Sequence, residues 1–204
     1  MARLIAILFF TIFMTNISIA SDAIDKSIVQ PPQVLVSNLS ERLIEQLTQL
    51  KDSEQRKEQI ELIISSTLLP HIDSQYAAYS VLGKHLKKSS KIQRSRFHLA
   101  FREHLVTTYA NALAQFSDQN LIVQPHKKLS PTKRMVTVKA KLVATDAPAV
   151  DIYFKLRKNQ KTGQWKVYDF VAEGISLLQS KKKEFAGLLN ASGIDETISF
   201  IEKQ

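Results

Sequence analysis

Val136-Thr137-Val138-Lys139-Ala140-Lys141-Leu142 alternates apolar and polar side chains throughout its length. A period of two places Val136, Val138, Ala140 and Leu142 on one face of a strand and Thr137, Lys139 and Lys141 on the other, as in an antiparallel sheet that is dry on one side and wet on the other. The same period recurs in Leu121 and Val123, in Val150, Ile152, Phe154 and Leu156 with Asp151, Lys155 and Arg157 between or beyond them, and in Trp165, Val167 and Val171. Asn159-Gln160-Lys161-Thr162-Gly163 supplies a hairpin loop between the last two strands.

Upstream of this meander the period is helical. The clearest helix begins near Ser89-Ser90 and runs to about Ser117, with Phe97, Ala100, Phe101, Leu105, Thr108, Ala112 and Phe116 on one face. Before it, Val34, Leu35, Leu39, Leu43, Leu47 and Leu50 recur at threes and fours after Pro31-Pro32, and Ile60, Ile63, Ile64 and Leu68 continue to Pro70, which together predict an antiparallel helical pair. Asp73 or Ser74 caps a third helix holding Tyr76, Tyr79 and Leu82, ended by Gly83 or running on to Leu86. Downstream of Gly174 the helical period returns through Leu177, Leu178, Phe185, Leu188 and Leu189, and Gly193 separates a last helix from Ile194 to Ile201. Helices, then an antiparallel meander, then closing helices give an α+β domain whose helices cover one sheet face, with the long helix across the concave side.

The first 20 residues are set apart from that domain. Arg3 precedes an uncharged apolar run from Leu4 to Ile19 that ends in Ser18-Ile19-Ala20, the form of a cleavable export signal. Cleavage after Ala20 would leave 184 of the 204 residues, a tether at 21–30 and one domain at 31–204. No Cys occurs anywhere, which excludes a lipid anchor on cysteine, a disulfide scaffold, thiol chemistry and Cys-ligated metal. Loss of Arg3 leaves 27 Lys and Arg against 19 Asp and Glu, a charge of +8, so anionic partners are expected. Export, and the lack of a basic stripe interleaved with aromatics, argue against nucleic acid.

Enzyme chemistry finds little support. Gly174-Ile175-Ser176-Leu177-Leu178 lacks the second Gly of a nucleophile elbow, and five glycines in all make a phosphate-cradling loop improbable. His98 and His104 share a helix six residues apart, which cannot place both on one metal, and His71, His85 and His126 are scattered. No metal or cofactor is expected. Asp169 and Glu173, at the end of an apolar strand, are the carboxylates that could do acid-base work; the alternative is that Asp169 accepts backbone or Arg hydrogen bonds and Glu173 fixes a turn.

Several segments resemble the MlaC family in order and spacing: Leu68-Leu69-Pro70-His71-Ile72-Asp73, Val81-Leu82-Gly83-Lys84, Gln93-Arg94 with Phe97, Ala100-Phe101-Arg102 with Leu105-Val106 and Tyr109, and Gly163 followed by Trp165 through Leu177. These are periplasmic phospholipid-binding proteins of Gram-negative bacteria, also called the toluene-tolerance auxiliary family. The resemblance implies an α+β fold with a twisted antiparallel sheet related to the NTF2 type and a deep apolar cavity that takes phospholipid acyl chains. It implies a soluble, monomeric, non-enzymatic carrier whose cargo is phospholipid. Its partners would be an outer-membrane lipoprotein-porin complex and an inner-membrane ABC transporter bearing an MCE-domain ring, between which it would maintain outer-membrane lipid asymmetry. A two-tailed lipid exposes roughly 30 methylenes, about 24 kcal/mol at about 0.8 kcal/mol each, so unaided transfer through water is negligible.

On this reading the expected cavity lining is Ile63, Ile72, Tyr76, Tyr79, Phe97, Phe101, Leu105, Val138, Leu142, Ile152, Phe154, Val167 and Val171. The lysines expected to dock acidic partner surfaces are Lys84, Lys87 and Lys88 and Lys181, Lys182 and Lys183. Two other readings stay open at this point: a carrier of a different apolar ligand on the same scaffold, and a pocket enzyme using Asp169 or Glu173.

Overall fold

The structure, a computed structural model, describes residues 29–50, 54–115, 118–125, 129–130 and 132–203. The export signal at 1–20 and most of the tether lie outside the described residues, as do Phe116 and His126. Helix α1 spans Pro32–Thr48 with its proline in the first turn, where the missing N–H costs nothing. Helix α2, Arg56–Ile63, runs on through a wide turn at Ile64–Leu68 and a tight one at Leu69–His71, which Pro70 helps to end. Asp73 caps α3, Ser74–Leu82, by accepting the Tyr76 N–H, and Gly83 leaves it at φ +52°, a conformation open to glycine. Helix α4, Lys91–Leu113, starts in a reciprocal box between Ser90 and Gln93, as the serine pair had indicated.

Five strands follow: β1 Asn120–Val123, β2 Met135–Ala144, β3 Ala147–Lys158, β4 Trp165–Ala172 and the two-residue β5 Ile175–Ser176. They form one antiparallel sheet in sequence order. The fifth strand is too short to leave a period in the sequence. It exists because Glu173 and Gly174, at φ 51° and 78°, turn the chain in two residues and pair Ala172 with Ile175. Helices α5, Leu177–Ala191, and α6, Gly193–Ile201, close the chain.

The core divides into three clusters. Leu82, Phe97, Phe101, Leu105, Phe185, Leu189 and Ile198 join α3 to α6 in a helical cluster, with Phe97 and Phe101 stacked at 6.0 Å and Phe185 edge-on to Phe101 at 6.5 Å. A second cluster seats Leu35, Val36 and Leu39 of α1 on Val138, Leu156 and Trp165 of the sheet. A third packs Leu47 at the other end of α1 against Ile60, Ile64, Leu69, Val106 and Ala110. The helix lying on the sheet is therefore α1. Helix α4 packs on α2, α3 and α6, because its aromatic face finds the apolar faces of other helices. That corrects the expectation of a long helix across the concave side.

Candidate functional site

Helix α1 belongs to two clusters, and the space between them under its middle is not filled. A cavity of about 300 Å³ opens there. Val36, Leu39, Leu43, Ile44 and Leu47 project into it because positions three and four apart share one face of a helix. The sheet supplies Leu121, Leu142, Ile152, Phe154, Val167 and Phe170 opposite. Leu68, His71 and Ile72 from the segment after α2, and Tyr109, Ala112 and Leu113 from the end of α4, complete the wall. Polar groups in the lining are confined to Ser40, His71, Gln119 and the Tyr109 hydroxyl, whose ionisation is pushed upward by burial and then by the Asp169 charge. Water has few partners in such a space. Left empty, a void of this size would cost on the order of several kcal/mol in lost contacts, against a whole-domain stability of about 5–15 kcal/mol. The arrangement suits an apolar occupant better than a polar one.

The sheet side owes its shape to one irregularity. Phe154 pairs with Phe170 and Lys155 with Asp169, but Leu156 pairs with Val167, so Tyr168 is an extra residue in β4. Val167 and Phe170, three apart, therefore share the cavity face, whereas strict alternation would have joined Val167 to Val171. Phe154 and Phe170 meet edge to face at 5.4 Å. Val171 pairs with Tyr153 on the opposite face and is not in the lining.

Of the expected lining residues, the structure brings Ile72, Leu142, Ile152, Phe154 and Val167 together on this cavity. Val138 lies on the same sheet face but is covered by the first turns of α1. Phe97, Phe101 and Leu105 are buried in the helical cluster, where Phe101 and Leu105 border only a small adjoining space of about 30 Å³. Ile63 packs at the margin of the third cluster, and Tyr79 at the margin of the first. Tyr76 sits edge-on to Tyr168 at 5.1 Å, under the Arg157 guanidinium at 4.4 Å. Lining residues that the sequence does not single out as such are the α1 stripe, Leu68, Tyr109, Ala112, Leu113, Leu121 and Phe170. The stripe was visible as a helical period, but nothing local tells a helix that roofs a void from one that fills a core.

Among the docking lysines, Lys84, Lys87, Lys88 and Lys183 are exposed and Lys182 is half-buried. Lys181 is different. Its side chain is 10% exposed, and its ammonium donates to Glu184 at 2.8 Å and to His104 Nε2 at 2.7 Å. The position falls on the buried face of α5 beside Phe185, four residues on, so it is spent inside the fold.

Asp169 and Glu173 are structural here. Asp169 accepts from Lys155 Nζ at 2.9 Å, from Ser176 Oγ at 2.8 Å and from the Leu178 backbone N–H at 3.0 Å. The carboxylate thereby ties β3 and β4 to the start of α5, and its partners are a lysine, a serine and an amide; the arginine alternative is not used. Glu173 occupies the turn before β5 and is exposed. Asp169→Asn is expected to lower stability by about 2–4 kcal/mol, since it strands a partly buried lysine and weakens the charged hydrogen bonds. Denaturant melts measure this; a variant as stable as the parent would contradict the assignment.

Three histidines share an electrostatic bias. His71, His98 and His104 are all held below the ordinary imidazole value, first by burial and then by Arg42 and Lys166, by Arg102, and by Lys181 respectively; Asp73 and Glu184 oppose the shift at His98 and His104. The lysine contact on His104 Nε2 requires a neutral ring with its proton on Nδ1. The unfolded chain then takes up protons at a higher pH than the folded one. Stability is expected to fall as pH drops below the unfolded value of 6.5 towards the lowered folded values. Melting curves from neutral to mildly acidic pH test this, and His104→Gln should flatten the slope; an unchanged slope would assign the acid sensitivity elsewhere. Among the described residues there is no cluster of His, Asp and Glu suited to a metal ion.

A profile described as MlaC protein matches residues 37–203. A curated relative from Haemophilus influenzae, the intermembrane phospholipid transport system binding protein MlaC, is 31% identical over 174 residues, covering 84% of this chain and 81% of its own length. A toluene tolerance protein of Pseudomonas putida is 25% identical over 138 residues, 66% of this chain and 62% of its own. Among solved structures, a phospholipid-binding protein from Ralstonia solanacearum, in complex with a phospholipid, superposes with a TM-score of 0.73 at 20% identity, covering 85% of this chain and 96% of that one.

Proposed function

The chain belongs to the MlaC family, and from that premise we propose that it is a periplasmic phospholipid carrier whose cargo lies with its acyl chains beneath α1. The single observation that carries the reading is the cavity. Its walls are leucine, isoleucine, valine and phenylalanine from α1 and the sheet, and its few polar groups could not hold a polar substrate in place. No bond is made or broken in such a role. Transfer between a bilayer and a comparably apolar cavity is nearly balanced, so direction comes from the membrane machinery at either end. We infer that residues 1–20 direct export and are removed, leaving a single domain after a short tether.

The partners follow from family membership and charge. An inner-membrane MCE-domain ABC transporter and an outer-membrane lipoprotein-porin complex are the proposed docking stations, and a carrier of +8 suits acidic patches on them. Lys84, Lys87, Lys88, Lys182 and Lys183 are the side chains proposed to meet those patches. The carrier reading is tested by vesicle transfer. Purified protein should speed movement of a fluorescent phospholipid from donor to acceptor vesicles in proportion to its concentration. No acceleration, with folded and lipid-free protein, would contradict it.

A further inference from the structure

Beside the acyl cavity lies a second one, of about 370 Å³, between α1, the turn at Leu69–His71 and the start of β4. The two share Leu39 and His71 in their walls, so they meet there. The composition changes across that boundary. The second cavity keeps apolar walls in Leu35, Pro70 and Trp165 but adds Arg42 from α1 and Lys166 from β4, with Asn38 and Gln164 in the same lining. It lies at the sheet margin because β5 pairs with β4 only at Val171 and Ala172, leaving the strand's first residues to meet the chain at Ile72.

Neither cation has a carboxylate in an ion pair among the described residues. Asp73, two residues from His71, is engaged by Arg157 at 2.8 Å. Glu41 accepts from Ser37, and Glu45, one turn beyond Arg42, makes no ion pair with it. Burial first, and then both cations, hold the His71 imidazole below its ordinary value, which favours the neutral ring with one N–H to donate. Two cations beside one imidazole repel each other unless an anion lies among them, and a guanidinium fork with an ammonium is the ordinary donor set for phosphate oxygens.

Resting on the carrier reading and extending it, we propose that Arg42, Lys166 and His71 form a phosphate site, which takes the phosphodiester of the lipid whose tails occupy the neighbouring cavity. The shared element is the phosphate oxyanion, which a lipid head group or free phosphate could supply. Recognition of the phosphodiester alone leaves the rest of the head group to solvent, and selects phospholipids as a class over neutral lipids with the same tails.

Delipidated full-length mature protein is titrated with dioleoylphosphatidylglycerol, with dioleoylglycerol, which keeps the tails and lacks the phosphate, and with inorganic phosphate. The variants are Arg42→Gln, Lys166→Gln and the pair, with the exposed Lys203→Gln as a charge control. The pair is expected to weaken phosphatidylglycerol binding by about tenfold, the scale of losing charge-assisted hydrogen bonds, while dioleoylglycerol affinity and the control stay unchanged. Unchanged phosphatidylglycerol affinity in the pair overturns the site, as does an equal loss for both lipids. Inorganic phosphate binding that vanishes in the pair while lipid affinities hold overturns the lipid assignment. Wild-type protein that binds neither lipid overturns the carrier reading itself, an outcome distinct from the others.

Discussion

Phe154→Glu is expected to give a folded protein that has lost about nine-tenths of its co-purifying phospholipid. Phe154 faces the cavity from β3, beside Phe170 and across from α1. A carboxylate there must stay unpaired in a dry space, at a cost of several kcal/mol, or draw in water where the tails would lie. About 1.4 kcal/mol already shifts the bound-to-free ratio tenfold, so lipid loss is the easier response. The fold survives because Phe154 is only partly buried and lies outside the fully buried cores. Phe154→Leu, which keeps the apolar wall, should retain lipid. Lipid phosphorus per chain, read with circular dichroism, is the measurement; a folded Phe154→Glu protein carrying its full lipid would place the tails elsewhere.

Phe101→Ala should do the reverse. Phe101 is 1% exposed, stacked on Phe97 and capped by Phe185, so truncation leaves a hole in the helical cluster worth about 3–5 kcal/mol. For a domain of this size that lowers the melting temperature by roughly 10 °C. Lipid per folded chain should not change. A variant that melted normally but lost its lipid would put the aromatic face of α4 on the cavity wall.

The contrast between these two residues shows what a sequence can carry. Both recur at apolar positions, and burial alone sets them apart in no way that a period could record. The elements themselves were legible: the serine pair at the start of α4, the alternation of β2 and β3, and Gly193 at the start of α6 each act within a few residues. The sheet face was legible too, for Leu142, Ile152, Phe154 and Val167 do line the cavity. What was hidden depends on distant pairing. The extra residue at Tyr168 shows only in the register against β3, and it exchanges Val171 for Phe170. Lys181 reads as one of three surface lysines until the helix turns it towards His104 and Glu184. The choice of α1 over α4 as the roof depends on which helices claim the aromatic face of α4 first, a property of the whole packing.

The placement of the lipid is most directly tested by photocrosslinking with a phosphatidylcholine whose acyl chain bears a diazirine near its end, followed by peptide mapping. The carbene inserts into whatever lines the tail. Label is predicted on the α1 peptide containing Leu39, Leu43 and Leu47, on Leu113 at the end of α4, and on the β3 and β4 peptides containing Phe154 and Phe170. Label concentrated on Phe97 and Phe101, or on α5 and α6, with α1 and the sheet left clean, would contradict a lipid cavity between α1 and the sheet.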